Sequence, residues 1–496
     1  MFFIFYIKEI RRLFMDTFKD TRVISGFIWR FMERVGAQLV QFIVSIVLAR
    51  ILDPSAYGTV ALITVFTTIM QVFVDSGLGN ALIQKKNADN IDFSTVFYTN
   101  IFFCLLLYGV MWFAAPTIAD FYHQPELVPY VRVLSLTIVV SGVKNIQQAY
   151  VSRNMLFKRF FFATLTGTIG AAVLGITMAL HGAGVWAIIA QQLFNLIVDT
   201  CVLWITVRWR PIRAFSFQRL KGLFSYGWKL LVSSLLDTGY NNLRQLLIGK
   251  IYSSSDLAYY NQGDKFPAVI VNNINTSIDS VLLPAMSSEQ DHKDHVRNMT
   301  RRAIKTSTFI MAPLMIGLAA CSKEVVALFL TDKWLPCIPY LQIFCFSYMI
   351  WPLHTANLNA IKALGRSDMF LKLEVIKKCV GLALLLITMR ISVFAMAFSL
   401  LISGVCSVII NSWPNRKLLN YRVEEQIKDI LPNIIMALVM GAVVYAIGFT
   451  PFPTIVRLIA QIIAGAVVYY LLLRFTKNET LYYAKDLIKK YKCKKK

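Results

Sequence analysis

Polar side chains recur at helical spacing inside otherwise apolar stretches of this chain. The first set is Arg34, Gln38 and Gln41, at positions i, i+4 and i+7, so these side chains share one face of a helix. A fixed cation beside amides suits an anionic ligand that also carries hydroxyl groups. Because each polar group is expensive in lipid, such a face must meet protein or a water-filled cavity.

Similar polar faces occur in later apolar stretches, one of which is interrupted by Pro267. The candidate cavity residues from all these stretches are Arg34, Gln38, Gln41, Asp75, Lys144, Asp237, Asn241, Arg244, Lys265 and Asn273. Polar faces on equivalent helices of the two halves are expected to converge on one central cavity. Hydrogen bonds between helices and permanent charge pairs are the structural alternative for the same residues.

The stretches that carry these residues are long enough to cross a bilayer. Hydrophobic residues make up 57% of the chain, charged residues make up 16%, and the mean hydropathy is +0.58. Fourteen apolar stretches of roughly 20 residues can be counted. The alternating pattern of a barrel is absent, so the sequence predicts an all-α polytopic membrane protein with about 14 transmembrane helices.

The positive charge follows the predicted topology. Of the 51 Lys and Arg residues, 38 lie in segments predicted to be inside and 7 lie at the predicted outer face. This bias predicts that both termini are cytoplasmic. The net charge of +24 then indicates attraction to anionic phospholipid at the cytoplasmic face, and no nucleic-acid partner is expected.

No residues with the spacing of a catalytic or metal site were found. The eight cysteines form no C-x-x-C pair, and the predicted outer loops are short, with scattered acids. Nucleophile-elbow, zinc-protease and phosphate-loop motifs do not occur. The sequence therefore predicts a protein that is not an enzyme and that has no catalytic residues, metal site or cofactor. Coupling to a proton or sodium gradient stays open.

The chain contains an internal duplication. Residues 128–134 return as 338–344 with apolar, Pro, Tyr and apolar residues in the same order, and 49–51 return as 249–251. Two halves with six helices each predict a parallel repeat. The predicted segments are an interfacial amphipathic segment (1–20), a six-helix bundle (21–210), a basic cytoplasmic linker (211–228), a second bundle (229–413), a cytoplasmic loop with two appended helices (414–475) and a polybasic tail (476–496).

The ten residues 49–58, Ala-Arg-Ile-Leu-Asp-Pro-Ser-Ala-Tyr-Gly, resemble the first-loop signature of the polysaccharide transport family. That family belongs to the multidrug/oligosaccharidyl-lipid/polysaccharide exporter superfamily. Segments 242–250, 266–276, 283–286 and 363–368 are similar to its colanic-acid and teichuronic-acid exporter branch. The resemblance covers nearly the whole chain and implies two bundles related by an axis along the membrane normal.

The resemblance also implies a function. The expected protein is a flippase of the bacterial cytoplasmic membrane that moves an undecaprenyl-diphosphate-linked oligosaccharide to the outer leaflet by alternating access. Its expected partners are that lipid-linked oligosaccharide and, as a further candidate, polysaccharide polymerase or export machinery. A cation-coupled drug or metabolite antiporter of the same superfamily is one alternative. A membrane scaffold of a polysaccharide synthesis complex is another, but it leaves the aligned polar faces unexplained.

Overall fold

The computed structural model describes residues 21–75, 78, 79, 82, 88–154 and 156–482, among which no strand occurs. They form α1 (Thr21–Ile51), α2 (Pro54–Asp75), α3 (Asn90–Tyr122), α4 (Leu127–Leu134), α5 (Leu136–Arg153), α6 (Phe157–Leu180), α7 (Val185–Thr206), α8 (Phe217–Ile251), α9 (Ser254–Ser287), α10 (Lys293–Ala320), α11 (Ser322–Phe329), a 3₁₀-helix (Asp332–Cys337), α12 (Ile338–Met349), α13 (Trp351–Ala363), α14 (Ser367–Thr388), α15 (Val393–Ser412), α16 (Asn415–Leu418), α17 (Val423–Ile447) and α18 (Thr454–Phe475). The predicted all-α polytopic fold is confirmed. The predicted segment 1–20 and residues 483–496 of the predicted tail lie outside the described residues.

Eleven helical segments in the described part of the chain are long and apolar enough to cross a membrane. Helices α8, α9 and α14, with 35, 34 and 22 residues, have sufficient length but are more polar. The count of fourteen therefore stays a prediction. Two of these three more polar helices, α8 and α9, carry candidate cavity residues.

The contacts divide the chain into two compact units, unit 1 up to Ser255 and unit 2 from Asp256 on. In unit 1, α1 packs against α6 and α6 packs against α7. The α6–α7 contact depends on small residues: a Cβ at Gly167 would lie 2.8 Å from the Asn195 carbonyl oxygen. Close backbone approach of this kind is a common way for helices to associate in lipid.

Helix α8 begins earlier than the sequence predicted. It starts at Phe217, so the last two thirds of the predicted linker 211–228 are helical. The Ser216 side chain accepts a hydrogen bond from the Arg219 backbone N–H and caps the helix. The Arg219 guanidinium donates to the Asp89 carboxylate at 2.5 Å, and this bond lowers the pKa of Asp89 to about 2. The start of α8 is thereby tied to the start of α3 within unit 1.

The other end of α8 also packs inside unit 1. The Tyr122 hydroxyl at the end of α3 donates to the Leu246 carbonyl oxygen at 3.4 Å. Gly58 of α2 lies so close to Ser254, at the start of α9, that an added Cβ would be 1.6 Å from the Ser254 carbonyl oxygen. Only glycine fits this approach without displacing backbone.

In unit 2, α10 packs against α12, α13 and α17, and α17 packs against α18. An ion-pair cluster joins α10 to α17: Arg301 donates two hydrogen bonds to the Asp429 carboxylate at 2.6 and 2.8 Å. Lys305 lies 3.4 Å from Asp429 and 3.2 Å from Glu479. The Tyr421 hydroxyl donates to Asp429 at 2.8 Å. These bonds fasten the two appended helices to the second unit.

Candidate functional site

The polar face of α1 points away from the helix that packs on it. Glu33 faces α6, where it accepts a hydrogen bond from the Thr164 hydroxyl at 3.3 Å. The next residue, Arg34, is exposed, as is Gln41, whereas Gln38 is half-buried. Arg34 makes no hydrogen bond or ion pair with any residue that the structure describes. The predicted polar face of α1 is therefore exposed along most of its length.

Helix α8 carries a second polar face in the same unit. Asp237 and Asn241 are exposed, and Arg244 is half-buried. The Asn241 side chain donates to the Asp237 carboxylate one turn earlier at 3.2 Å. Asp75 is the last residue of α2, but its side chain lies outside the described part of the chain. The expectation that Asp75 lines the same cavity as the two faces stays a prediction.

Lys265 and Asn273 lie on α9, in the part that belongs to unit 2. Both are half-buried. The Asn273 side chain donates to the Val269 carbonyl oxygen of its own helix at 2.7 Å. Lys265 makes no ion pair among the described residues. The expectation that α9 and the faces of unit 1 line one cavity stays a prediction.

Lys144 differs from the other candidate cations. Its Nζ lies 2.5 Å from the Asp199 carboxylate, and the two side chains are 15% and 9% exposed. This pair joins α5 to α7 inside unit 1. The neighbouring Asn145 side chain donates to the Val74 carbonyl oxygen at 3.2 Å, so the surroundings are those of a packed helix interface. The structure thus brings Lys144 together with an acid of its own bundle.

One half-buried acid, Asp264, is not among the ten candidate residues predicted from the sequence. The apolar stretches of the sequence predict an outer loop over residues 253–264. In the structure, α9 already begins at Ser254 and carries Asp264 three turns in. Its carboxylate accepts a hydrogen bond from the Tyr348 hydroxyl of α12 at 2.5 Å. The sequence signal that could have found it is the absence of proline from residues 254–264, which lets the helix begin well before the apolar stretch.

A cleft of about 690 Å³ opens in unit 1 beside the ends of α1, α3 and α6. Its polar lining includes Asp53, His123, Gln124, Glu126 and Tyr130. None of the ten candidate cavity residues lines it. Across the residues that the structure describes, no three His, Cys, Asp or Glu side chains come together as a metal-binding group.

Comparison with known proteins identifies the family. The family model described as "Polysaccharide biosynthesis protein" matches residues 47–339, more than half of the chain. The chain belongs to this family. This chain is 25% identical over 465 residues to the teichuronic acid biosynthesis protein TuaB of Bacillus subtilis. The alignment covers 91% of this chain and 95% of TuaB. The predicted resemblance to the polysaccharide exporters is confirmed.

A second relative and a solved structure extend the comparison. The succinoglycan biosynthesis transport protein ExoT of Rhizobium meliloti is 22% identical over 339 residues, which cover 68% of each chain. The structure of the lipid II flippase MurJ in an inward closed conformation superposes with a TM-score of 0.72 at 17% identity, covering 94% of this chain and 100% of MurJ. The family member therefore shares the MurJ fold. ExoT is named as a transport protein and MurJ as a flippase.

Proposed function

We propose that this family member moves an oligosaccharide linked to undecaprenyl diphosphate from the inner to the outer leaflet of the bacterial cytoplasmic membrane by alternating access. The names of its relatives support polysaccharide biosynthesis and transport, and the shared fold with a lipid II flippase supports a lipid-linked cargo. The proposal includes cytoplasmic termini and anionic phospholipid at the cytoplasmic face. It adds polysaccharide polymerase or export machinery as a further partner.

The observation that carries the proposal is the exposed guanidinium of Arg34 on a membrane-crossing helix. Every described acid lies beyond ion-pair distance of it, and Glu33 beside it is turned toward α6. An isolated cation in a span is costly unless it faces water or an anionic ligand. A diphosphate offers several charged oxygens to a planar guanidinium, and the amides of Gln38 and Gln41 can bind sugar hydroxyls.

The cations on the two polar faces of unit 1 lie at different depths along their own helices. Arg34 is 17 residues before the end of α1, and Arg244 is seven residues before the end of α8. With a rise of 1.5 Å per residue, these positions are about 26 Å and about 10 Å from helix ends that the topology predicts to be outer. A diphosphate that crosses the membrane would then have one cation early in its path and one late.

Replacing Arg34 with glutamine tests the proposal. In cells whose only copy is Arg34→Gln, surface polysaccharide should be lost, and lipid-linked oligosaccharide should accumulate in the inner leaflet at normal protein abundance. Arg132→Gln is the matched control, because Arg132 lies over the Trp112 ring at 4.4 Å, away from the polar faces. Normal export by the Arg34 variant would contradict the proposal.

One observation favours the antiporter alternative. Asp237 is an exposed carboxylate on a candidate cavity face. An antiporter for cations would need this acid more than it needs Arg34. The two functions are separated by measuring polysaccharide export and cationic-dye efflux in the same cells. Loss of dye efflux with intact export in Asp237→Asn would favour the antiporter.

A further inference from the structure

The half-buried acid Asp264 has a neutral partner. Several other acids of the described spans face a cation at close range. These pairs are Asp199 with Lys144 at 2.5 Å, Glu374 with Lys377 at 2.6 Å, Asp429 with Arg301 at 2.6 Å and Glu324 with Arg457 at 3.4 Å. Asp264 instead accepts from a neutral phenol, Tyr348, and makes no ion pair with any described residue.

The surroundings of the Asp264 carboxylate are tightly packed. A Cβ at the preceding residue, Gly263, would lie 2.7 Å from the Tyr340 Cβ and 2.9 Å from the Leu341 backbone nitrogen, so α9 and α12 approach closely at this point. Asp264 itself is half-buried. It lies ten residues into α9, about 15 Å along the helix, against a hydrocarbon thickness of about 30 Å.

Other titratable groups lie near the pair on both helices. Tyr260 on α9 and Cys345 on α12 lie near Tyr348, and Lys265 follows Asp264 on α9. Lys265 makes no ion pair with Asp264. No fixed positive charge therefore neutralises the carboxylate among the described residues, and protonation is the simplest way to do so.

The internal duplication shows that the fold does not need this polar pair. At the local offset of 202, which aligns Tyr57 with Tyr259, Asp264 corresponds to Leu62. At the offset of 210, Tyr348 corresponds to Ile138. Leu62 and Ile138 are apolar and fully buried, with exposures of 1% and 0%. The second half thus carries an acid and a phenol where the first half packs two aliphatic side chains.

We propose that Asp264, held by Tyr348, is a proton-binding site in unit 2 through which the proposed transport cycle is coupled to the proton gradient. The carboxyl takes up a proton in one state and releases it in another, and the hydrogen bond from the Tyr348 hydroxyl holds the carboxyl in place. A hard metal cation would need several oxygen ligands, whereas a proton needs only the carboxylate. The inference rests on the proposed transport function.

The test uses the purified full-length protein in liposomes, with a fluorescent disaccharide linked to undecaprenyl diphosphate as the transported probe. For one proton per cycle, a gradient of one pH unit should change the accumulation ratio by about tenfold. Asp264→Asn should still equilibrate the probe but lose this response, whereas a sodium gradient should have no effect on wild type. A wild-type pH response in Asp264→Asn, or a response to sodium alone, would overturn the inference.

A second measurement needs no transported probe. The Trp351 ring lies 4.9 Å from the Tyr348 ring, so its fluorescence should report the state of the pair. Wild type should show a pH-dependent change that is absent from both Asp264→Asn and Tyr348→Phe, with Trp351→Phe identifying the source of the signal. The same pH profile in wild type and Asp264→Asn would overturn the proton site. Failure of wild type to move the probe would instead contradict the proposed function.

Discussion

Replacing Lys144 should separate structural cations from cations that bind substrate. Lys144 and Asp199 are 15% and 9% exposed and lie 2.5 Å apart. Lys144→Gln leaves the Asp199 carboxylate buried without its cation, which costs about 3–5 kcal/mol for a buried pair. This corresponds to roughly two to three and a half orders of magnitude in the folded-to-unfolded ratio.

In the assay, a fluorescent fusion of the protein is heated in detergent. Gel filtration then measures the fraction that stays monodisperse. Lys144→Gln should lower the apparent midpoint, and adding Asp199→Asn should restore most of it because the buried charge is removed. Arg34→Gln is the matched control, since an exposed substitution should stay within about 0.5 kcal/mol of wild type. If Lys144→Gln keeps wild-type stability and loses export, Lys144 binds substrate and the structural reasoning is wrong.

Three further changes test the packing and the topology. Gly58→Ala should destabilise the protein by about 1–3 kcal/mol through overpacking against the start of α9, whereas Gly36→Ala, which meets open space, should be neutral or stabilising in the same melting assay. Arg301→Gln should lower the melting midpoint by an amount equivalent to about 1–3 kcal/mol, and adding Asp429→Asn to the same chain should recover part of that loss. If the losses of the two single variants simply add in the double variant, the two residues do not interact. In a cysteine-free background, a cysteine at Asp120 should react with an impermeant thiol reagent added outside intact cells, and one in the basic tail should not; labelling of both would contradict the topology.

Helix type and family could be predicted from the sequence, but helix ends could not. Lipid requires only about 20 apolar residues, so a hydropathy count detects that part of each helix and misses polar extensions. Helix α8 accordingly begins at Phe217 rather than near 229, and α9 begins at Ser254 rather than near 266. The second error placed Asp264 in a loop and hid it from the list of candidate residues.

Partners of charged residues were predictable only where they are close in sequence. The pair of Glu374 and Lys377 is three residues apart on one helix, and its 2.6 Å contact follows from helical spacing. Lys144 and Asp199 lie on different helices, and nothing in the spacing of the chain indicates that they meet. The polar faces of α1 and α8 were predicted from their periodicity, and their place in a substrate cavity stays a prediction.

The cluster of Arg301, Lys305 and Asp429 also constrains the order in which the protein can be assembled. Arg301 leaves the ribosome 128 residues before its acid. At about 5–20 residues per second, the interval is about 6–26 s. During that time Arg301 and Lys305 of α10 have no Asp429 with which to form an ion pair. We expect that end of α10 to lie among the anionic lipid headgroups until α17 arrives, because unpaired cations are favourable there. A chain truncated before α17 should keep both cations without Asp429.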